Sequence, residues 1–450
     1  MRARIAGSSR SLAGVLLLAG CLFGCDAIEQ LPGFEPPLTP HQAYARGLAQ
    51  AGLTETALGR EWLGAAQAAL AAPVRVSLPI QESGYLAPDR PRAVAYQVHL
   101  ARGRRITLQA ELTPHPGALL FIDVFAVPES PGDSLDHQLA ADSGSRSLAF
   151  EPRRTGDYVI RLQPELLRGG RYRLTLRAQP ALAFPVQGRP NNAIRSGFGA
   201  PRDGGARDHH GIDIFAPRGT PVIAVADGQV TRVRETERGG RVVWIRDERR
   251  GLSLYYAHLD RQLVDPGASV TVGDTIGLVG NTGNARTTPP HLHFGIYRRG
   301  EGPLDPYPWV ARINTRPEPM RGDLTLVGQL ARTRRASRLR AAPAATAEVI
   351  RMVDAQTIVQ VLSTHAAWYH TRLPDGASGF LSIADAAPAR PIRTEPLARA
   401  TELRAGPLHH AEVIDTIRSA TVEIYGRFGD YWYARSDSLA GWINLSGNGR

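Results

Sequence analysis

Cysteine is scarce in this 450-residue chain, which has only Cys21 and Cys25. Since no cysteine follows residue 25, the body of the protein is not a disulfide scaffold. Lysine is absent, so all 53 basic residues are arginine, and the formal net charge of +11 favours anionic polymers as partners. We expect no nucleic-acid partner, because neither a groove-entering helix motif nor an aromatic-basic platform accompanies that charge. No apolar run after the N-terminal region is long enough to span a membrane.

The N-terminus has the pattern of an export signal. Arginines precede an apolar run over residues 12–18, which is too short to be a stable anchor. The string at residues 18–21 resembles the lipobox of bacterial lipoproteins, which implies cleavage before Cys21 and lipid attachment to it. Residues 22–25 are a poorer second version, with Cys25 as the less favoured lipid site. We predict a signal peptide over residues 1–20 and a lipid-anchored envelope protein, on the periplasmic or outer-membrane face, with a soluble secreted protein as the alternative.

The chain is too long for one ordinary core, and its pattern changes several times. Residues 21–73 read as a proline-rich tether followed by a helical hairpin, whose second helix is predicted to start at Thr54 and to pack through Trp62 against the next domain. Residues 74–182 consist of short alternating runs separated by glycine-containing turns, which predicts a β-sandwich. The order of its motifs loosely resembles the pre-peptidase C-terminal domain family.

The last part of the chain contains an internal repeat. Leu339-Arg340-Ala341-Ala342-Pro343 returns as Leu403-Arg404-Ala405-Gly406-Pro407, and each copy continues with an aromatic pair and a Gly-aromatic-aliphatic step. This pattern resembles bacterial Src-homology-3-like domains, and it predicts two small β-barrels over residues 325–388 and 389–450. Such barrels often bind wall peptides, but the same aromatic residues also suit a spacer with no ligand.

The residues that carry chemistry lie between residues 190 and 315. The string His209-His210-Gly211-Ile212-Asp213 comes first. If it enters a strand, His209 and Asp213 project to one face, because side chains alternate with a period of two. An imidazole and a carboxylate that converge there suit a borderline-soft divalent cation such as zinc.

Two further strand-like strings carry histidines. In His291-Leu292-His293-Phe294 the alternation places both histidines on one face, where they can share a metal or divide metal and substrate between them. The third string, Tyr255-Tyr256-Ala257-His258-Leu259, carries another. Histidines on three separate segments are hard to explain as core residues.

Together with Gly-Thr-Pro-Val-x-Ala-x-x-Asp-Gly-x-Val at residues 219–230, these strings resemble the lysostaphin/LytM family of zinc endopeptidases, over roughly residues 190–315. The resemblance implies one zinc ion, and its site residues are metal ligands His209, Asp213 and His293 and catalytic residues His258 and His291. His210 occupies the variable position beside the first ligand, and we favour His209.

The resemblance implies a zinc-dependent endopeptidase that hydrolyses peptide bonds in peptidoglycan stem peptides or cross-links by metal-activated water. Three protein ligands with two unligated histidines favour an open catalytic site over a closed structural one. The alternatives are a non-catalytic envelope regulator that activates a cell-wall amidase, and a wall-binding protein. The predicted fold is mainly β and multidomain: a short helical segment, a β-sandwich, an antiparallel β metallopeptidase domain and two SH3-like barrels. The peptide bond that is cut and the oligomeric state stay open.

Overall fold

The computed structural model describes residues 37–114, 117–418, 420–436 and 439–445. The predicted export signal and both cysteines lie outside the described residues. Strands dominate the described chain, which confirms the prediction of a mainly β protein. Within these ranges, no helix has the length and hydropathy that crossing a membrane requires.

The described chain opens with helices α1 (Pro40–Gln50) and α2 (Ala57–Ala71). Thr39 caps α1 in a capping box with Gln42, so the backbone N–H groups of Thr39 and Gln42 each have a side-chain acceptor. Helix α2 begins three residues later than predicted, because the Thr56 hydroxyl accepts from the Gly59 N–H at 3.1 Å and thereby fixes the N-cap. The predicted start at Thr54 falls in a single 3-10 turn.

Trp62 packs these helices against the following domain. Its side chain is buried, its ring stacks on His41 at a centroid distance of 4.7 Å, and Phe121 lies edge-on at 6.0 Å. The indole N–H donates to the Pro164 carbonyl at 2.9 Å, so the one polar atom of the ring is satisfied. The apolar stripe of α2 therefore packs against the next domain, as its spacing predicts.

Residues 74–180 form two sheets that face each other across a shared apolar core. One sheet has the order β1-β3-β8-β5-β6 and the other contains β2-β9-β4-β7, where the strands are β1 (Val74–Arg75), β2 (Ile80–Leu86), β3 (Val94–Leu100), β4 (Arg104–Thr113), β5 (Leu120–Ala126), β6 (Asp136–Ala140), β7 (Ser147–Phe150), β8 (Gly156–Pro164) and β9 (Gly170–Pro180). In β4, every second side chain from Ile106 to Leu112 is buried. This alternation fits a sheet with one face on a core.

An antiparallel sheet follows and positions the candidate site. Its main path is β10-β13-β20-β17-β16-β15-β18. The strands and the helix after them are β10 (Ile194–Ser196), β11 (Pro201–Arg202), β12 (Arg207–Asp208), β13 (Ile212–Phe215), β14 (Pro221–Ile223), β15 (Gly228–Thr236), β16 (Gly240–Asp247), β17 (Leu252–Gln262), β18 (Ser269–Val270), β19 (Thr275–Val279), β20 (His291–Arg298), β21 (Gly302–Leu304) and α3 (Tyr307–Val310). In β20, Leu292, Phe294 and Ile296 are fully buried in the core of this domain.

The sequence repeat is also a repeat in structure. Its strands are β22 (Leu330–Thr333), β23 (Ser337–Arg340), β24 (Val349–Val353), β25 (Ile358–His365), β26 (Trp368–Arg372), β27 (Ser378–Ser382), β28 (Ala386–Pro388), β29 (Arg393–Pro396), β30 (Thr401–Arg404), β31 (Val413–Ile417), β32 (Thr421–Phe428), β33 (Tyr431–Ser436) and β34 (Leu439–Asn444). The order β24-β23-β27-β26-β25 in the first copy matches β31-β30-β34-β33-β32 in the second. Equivalent residues also pair, since Arg340 lies opposite Phe380 and Arg404 opposite Trp442.

The sandwich and the first repeat share one sheet. Strand β2 pairs with β25, with Ser83 opposite Thr364, so the sheet runs from the sandwich into the repeat. Backbone hydrogen bonds between the two domains hold their relative orientation more firmly than a side-chain contact does. The sequence pattern does not predict this pairing.

We expect Trp62→Ala to lower the thermal unfolding midpoint measured by circular dichroism. The change removes a buried ring and orphans the Pro164 carbonyl, at a cost of about 3 kcal/mol. Leu53→Ala is the matched control, because Leu53 is 40% exposed in the neighbouring turn. Equal midpoints for the two variants would contradict the anchoring role of Trp62.

Candidate metal centre

Three adjacent strands bring the predicted site residues together. Strand β20 lies between β13 and β17, and its His293 is opposite Asp213 on one side and Ala257 on the other. His291 is opposite Phe215, and the two rings stack at a centroid distance of 4.9 Å. Since the core takes the alternate residues of β20, both of its histidines lie on the other face of the sheet.

His209 reaches the site from outside the strand. Strand β13 starts at Ile212, so the expectation that His209 and Asp213 share a strand is wrong. The preceding loop holds the backbone of His209 instead. The His209 N–H donates to the Ala200 carbonyl at 3.0 Å, and the His209 carbonyl accepts from the Gly199 N–H at 2.9 Å. This connection turns the imidazole back onto the face that Asp213 occupies.

Three donor atoms converge. Nε2 of His209, Oδ1 of Asp213 and Nδ1 of His293 lie 2.9 to 3.0 Å from one another. Nδ1 of His209 donates to the Gly197 carbonyl at 2.7 Å, so the neutral ring presents a lone pair at Nε2. Acceptor atoms facing one another at this distance are stabilised by a cation. Tetrahedral zinc with bonds of about 2.0–2.1 Å sets its ligand atoms about 3.3 Å apart, so one imidazole–carboxylate–imidazole set fits it.

Arg202 completes the surroundings of the carboxylate, and the sequence patterns do not single it out. Its Nη2 donates to Oδ2 of Asp213 at 2.6 Å and to the Ser196 hydroxyl at 2.6 Å. Burial raises the pKa of the Asp213 carboxyl, but its contacts with His209 and His293 outweigh burial and hold that pKa well below its usual range. The carboxyl is therefore ionised, with Oδ1 left for a metal ion.

His258 and His291 stand beside these donors. Their ring centroids are 5.0 Å apart, and His258 is 6.0 Å from His293. Nδ1 of His258 binds the Thr282 carbonyl at 2.9 Å, and Nδ1 of His291 binds the Pro289 carbonyl at 2.9 Å. Both Nδ1 atoms are thus protonated donors, which leaves each Nε2 able to accept a proton.

The backbone of His258 is strained. Its φ is +62°, in the left-handed region, and the pairing of β16 with β17 shifts register between Arg241 and Val243, opposite this point. A bulge of this kind re-aims a side chain, here onto the face of His293. Burial, together with the nearby His291 and His293, lowers the pKa of His258 to about 4, so the ring is neutral at neutral pH.

An aromatic surface continues from the donors along the same face of the sheet. Trp244 is opposite Tyr255 and Tyr255 is opposite Gly295, in three adjacent strands. The Tyr255 ring lies edge-on to the His293 ring at a centroid distance of 5.7 Å. It is tilted against the Trp244 ring at 4.4 Å, and the Tyr297 ring is 5.3 Å from that of Trp244. A Cβ at Gly295 would lie 3.0 Å from the Tyr297 ring, so the ring of Tyr297 packs over this glycine beside Tyr255. The sequence patterns do not predict this aromatic surface, because it forms by cross-strand pairing.

The other described domains make no polar or ring contact with the five site residues. In the described part of the chain, every hydrogen bond, ion pair and ring contact of His209, Asp213, His258, His291 and His293 comes from residues 196–297. The sandwich meets this domain elsewhere, for example through Glu151, which accepts from Arg250 at 2.8 Å.

Residues 207–306 match the model of Peptidase family M23. Residues 335–385 match that of the Bacterial SH3 domain. The first match spans the five site residues, and the second falls within the first C-terminal repeat.

Curated relatives match over part of their length. The chain is 35% identical over 175 residues to an "Uncharacterized metalloprotease" of Haemophilus influenzae, covering 38% of this chain and 34% of that protein. It is 39% identical over 137 residues to an L-Ala--D-Glu endopeptidase of Bacillus subtilis, covering 28% and 42%. It is 42% identical over 100 residues to the peptidoglycan DD-endopeptidase ShyC of Vibrio cholerae, covering 22% of each. The chain thus spans less than half the length of these relatives.

We expect His209→Ala to lower zinc affinity more than about a hundredfold, since it removes one of three converging donors. His210→Ala, at an exposed position one residue on, is the matched control and retains the wild-type affinity. Competition with a chromophoric chelator measures both. The reverse order of affinities would make His210 the ligand.

Gly211→Ala is expected to weaken zinc binding about 10- to 100-fold. A Cβ at this position would lie 2.5 Å from the Phe294 carbonyl oxygen and 2.8 Å from Nε2 of His293, so the ligand ring is displaced. Gly197→Ala is the control, because a Cβ there meets nothing within 4 Å. Unchanged affinity in Gly211→Ala would show that the site tolerates displacement of His293.

Proposed function

We propose that the protein is a zinc-dependent endopeptidase that hydrolyses peptide bonds in peptidoglycan. The observation that carries the proposal is the convergence of Nε2 of His209, Oδ1 of Asp213 and Nδ1 of His293 within 3.0 Å. His258 and His291 lie beside these atoms and form their hydrogen bonds with other groups. Three protein donors leave a fourth position open, as catalytic zinc sites do. The match to a peptidase family over the same residues supports this assignment.

His209, Asp213 and His293 would hold the metal. When bound, zinc supplies a water whose pKa falls towards about 7 and polarises the scissile carbonyl. Arg202 holds Oδ2 of Asp213, which keeps the carboxylate turned so that Oδ1 faces the donors. Gly197 fixes the tautomer of His209 in the same way.

His258 and His291 would move the protons. An imidazole whose Nδ1 donates to a carbonyl can accept a proton only at Nε2, and Nδ1 of each ring contacts a carbonyl. The lowered pKa of His258 keeps it unprotonated before the reaction. Once protonated, either ring can pass the proton to the leaving amine or hydrogen bond to the developing oxyanion.

Relatives and the aromatic surface beside the donors support a substrate assignment. One relative is named an L-Ala--D-Glu endopeptidase and another a peptidoglycan DD-endopeptidase. The aromatic surface of Trp244, Tyr255 and Tyr297 would offer apolar contact to an extended peptide whose scissile bond lies at the donors. We propose stem peptides or cross-links as the substrate.

Export and anchoring complete the proposal. A peptidoglycan substrate requires an envelope location, which agrees with the signal pattern before Cys21. We propose lipid attachment at Cys21, with Cys25 as the second choice, and mass spectrometry of the mature N-terminal peptide separates the two. The strand order shared by the repeats supports a second SH3-like domain over residues 389–450.

We expect the purified full chain with zinc to release soluble peptides from peptidoglycan, and His258→Gln to lower the rate about 10²- to 10⁴-fold while zinc content stays unchanged. His210→Gln is the matched exposed control and cuts at the wild-type rate. Chromatography of the released peptides measures the rate. Zinc-loaded wild type that cuts nothing, yet stimulates a cell-wall amidase, would replace the enzyme with a regulator. Full activity in His258→Gln would remove its assigned role.

A further inference from the structure

A large cleft lies away from the metal centre, where α2, the sandwich and both repeats meet. Its volume is about 1080 Å³, at the upper end of the range for small-molecule sites. Its lining includes Arg92 of the sandwich, Gln360 and Arg372 of the first repeat, and Tyr433 and Trp442 of the second. None of the five proposed site residues lines it.

Two arginines meet in this cleft around one glutamine. Arg372 is the cross-strand neighbour of Gln360, and Nη2 of Arg92 donates to Oε1 of the same glutamine at 3.1 Å. Burial, the charge of Arg372 and the charge of Arg90 together lower the pKa of Arg92 to about 10. The guanidinium groups are therefore close enough to repel each other in a partly desolvated place.

Neither arginine has a carboxylate partner among the described residues, although ion pairs elsewhere involve many of the arginines. Glu61, Glu82 and Asp89 also line the cleft, but none of them pairs with Arg92 or Arg372. The Glu82 carboxylate instead accepts from the hydroxyls of Tyr96, at 2.6 Å, and Tyr172. The guanidinium groups of Arg92 and Arg372 are thus left without an ion-pair partner among the described residues.

His370 adds a neutral donor to this cluster. It lines the cleft and stacks on Phe380 at a centroid distance of 4.7 Å. Burial and the charges of Arg372 and Arg92 together lower its pKa to about 4, so the ring is neutral at neutral pH. His370 and Arg372 are two residues apart on β26, so their side chains lie on one face of the sheet. A neutral imidazole there donates one hydrogen bond without adding charge.

We propose that this interdomain cleft is an anion-binding site that holds the carboxylate groups of an acidic peptide, with Arg92 and Arg372 as its charged contacts. Guanidinium groups match carboxylates in bidentate geometry, and an arriving carboxylate removes the repulsion between the two arginines. The rings of Tyr433 and Trp442 offer apolar surface to the rest of the peptide. The site does not depend on the metal centre, so it stands or falls separately from the proposed enzyme activity.

The test is isothermal titration of the full chain, with metal chelated so that nothing is cut. The probes are the stem tetrapeptide L-Ala–D-isoGlu–meso-diaminopimelate–D-Ala, an all-L acidic tetrapeptide and the stem peptide with amidated carboxylates. We expect the stem peptide to bind and the amidated peptide to bind at least about tenfold more weakly, as the loss of a charge-assisted hydrogen bond predicts. Binding of the all-L peptide would assign the site to acidic peptides in general. If neither acidic peptide binds, the proposal is overturned.

Arg372→Gln is the sharper variant, because no hydrogen bond or ion pair of the Arg372 side chain to described residues is lost. We expect it, and Arg92→Gln, to weaken peptide binding about tenfold or more, while Arg338→Gln, an exposed arginine of the same domain, leaves it unchanged. Removing one of two like charges relieves repulsion, so the thermal midpoint without ligand is expected to stay level or rise in Arg372→Gln. Wild-type binding in both variants, or a midpoint several degrees lower in Arg372→Gln, would assign the arginines a structural role instead.

Discussion

The antiparallel pairing of β20 with β13 and β17 is the constraint on which the candidate site depends. It sets Asp213 and Ala257 on either side of His293, and the period of two then turns every other residue of β20 into the core. A slip of one residue would bury the histidines and expose Leu292 and Phe294. Because both apolar side chains are fully buried, the loss of their burial would strongly destabilise the slipped register. The hydrophobic core therefore holds the register, and the register positions Asp213 and His293. The geometry of the candidate site is in this sense a consequence of packing on the opposite face of the sheet.

The part of the site that depends on alternation could be predicted from the sequence. His291 and His293 share a face because Leu292 and Phe294 are apolar, and the mainly β fold follows from the same kind of pattern. What depends on pairing between distant segments could not be predicted. Arg202 is one arginine among 53, and only the loop before His209 brings it to Asp213. The aromatic surface of Trp244, Tyr255 and Tyr297 needs three strands in register. The bulge that turns His258 toward the donors, with its φ of +62°, leaves no mark on local composition.

Domain organisation shows the same division. The sequence repeat at an offset of 64 residues predicts two copies of one fold, and the two copies have the same strand order in the structure. The sheet that joins β2 to β25 involves residues such as Ser83 and Thr364, more than 280 positions apart by number, whose pairing no local pattern encodes. That joint has a consequence for the cleft. Arg92 comes from the sandwich and Arg372 from the first repeat, so a fixed orientation of the two domains is needed before the two charges can meet.

The metal centre and the cleft satisfy one physical criterion. In each, the protein brings together polar groups that a charged ligand can bridge: the donor atoms of His209, Asp213 and His293 in the first, and the guanidinium groups of Arg92 and Arg372 in the second. The surrounding core has to hold these groups in place. A ligand of opposite charge turns the same arrangement into a favourable one, a cation at the donors and an anion at the arginines. Elsewhere the chain satisfies charge internally, as Asp123 does with Arg161 at 2.7 Å in the buried sandwich. Unsatisfied charge is therefore the more informative signal here, because it marks the places where the folded chain is completed by something other than itself.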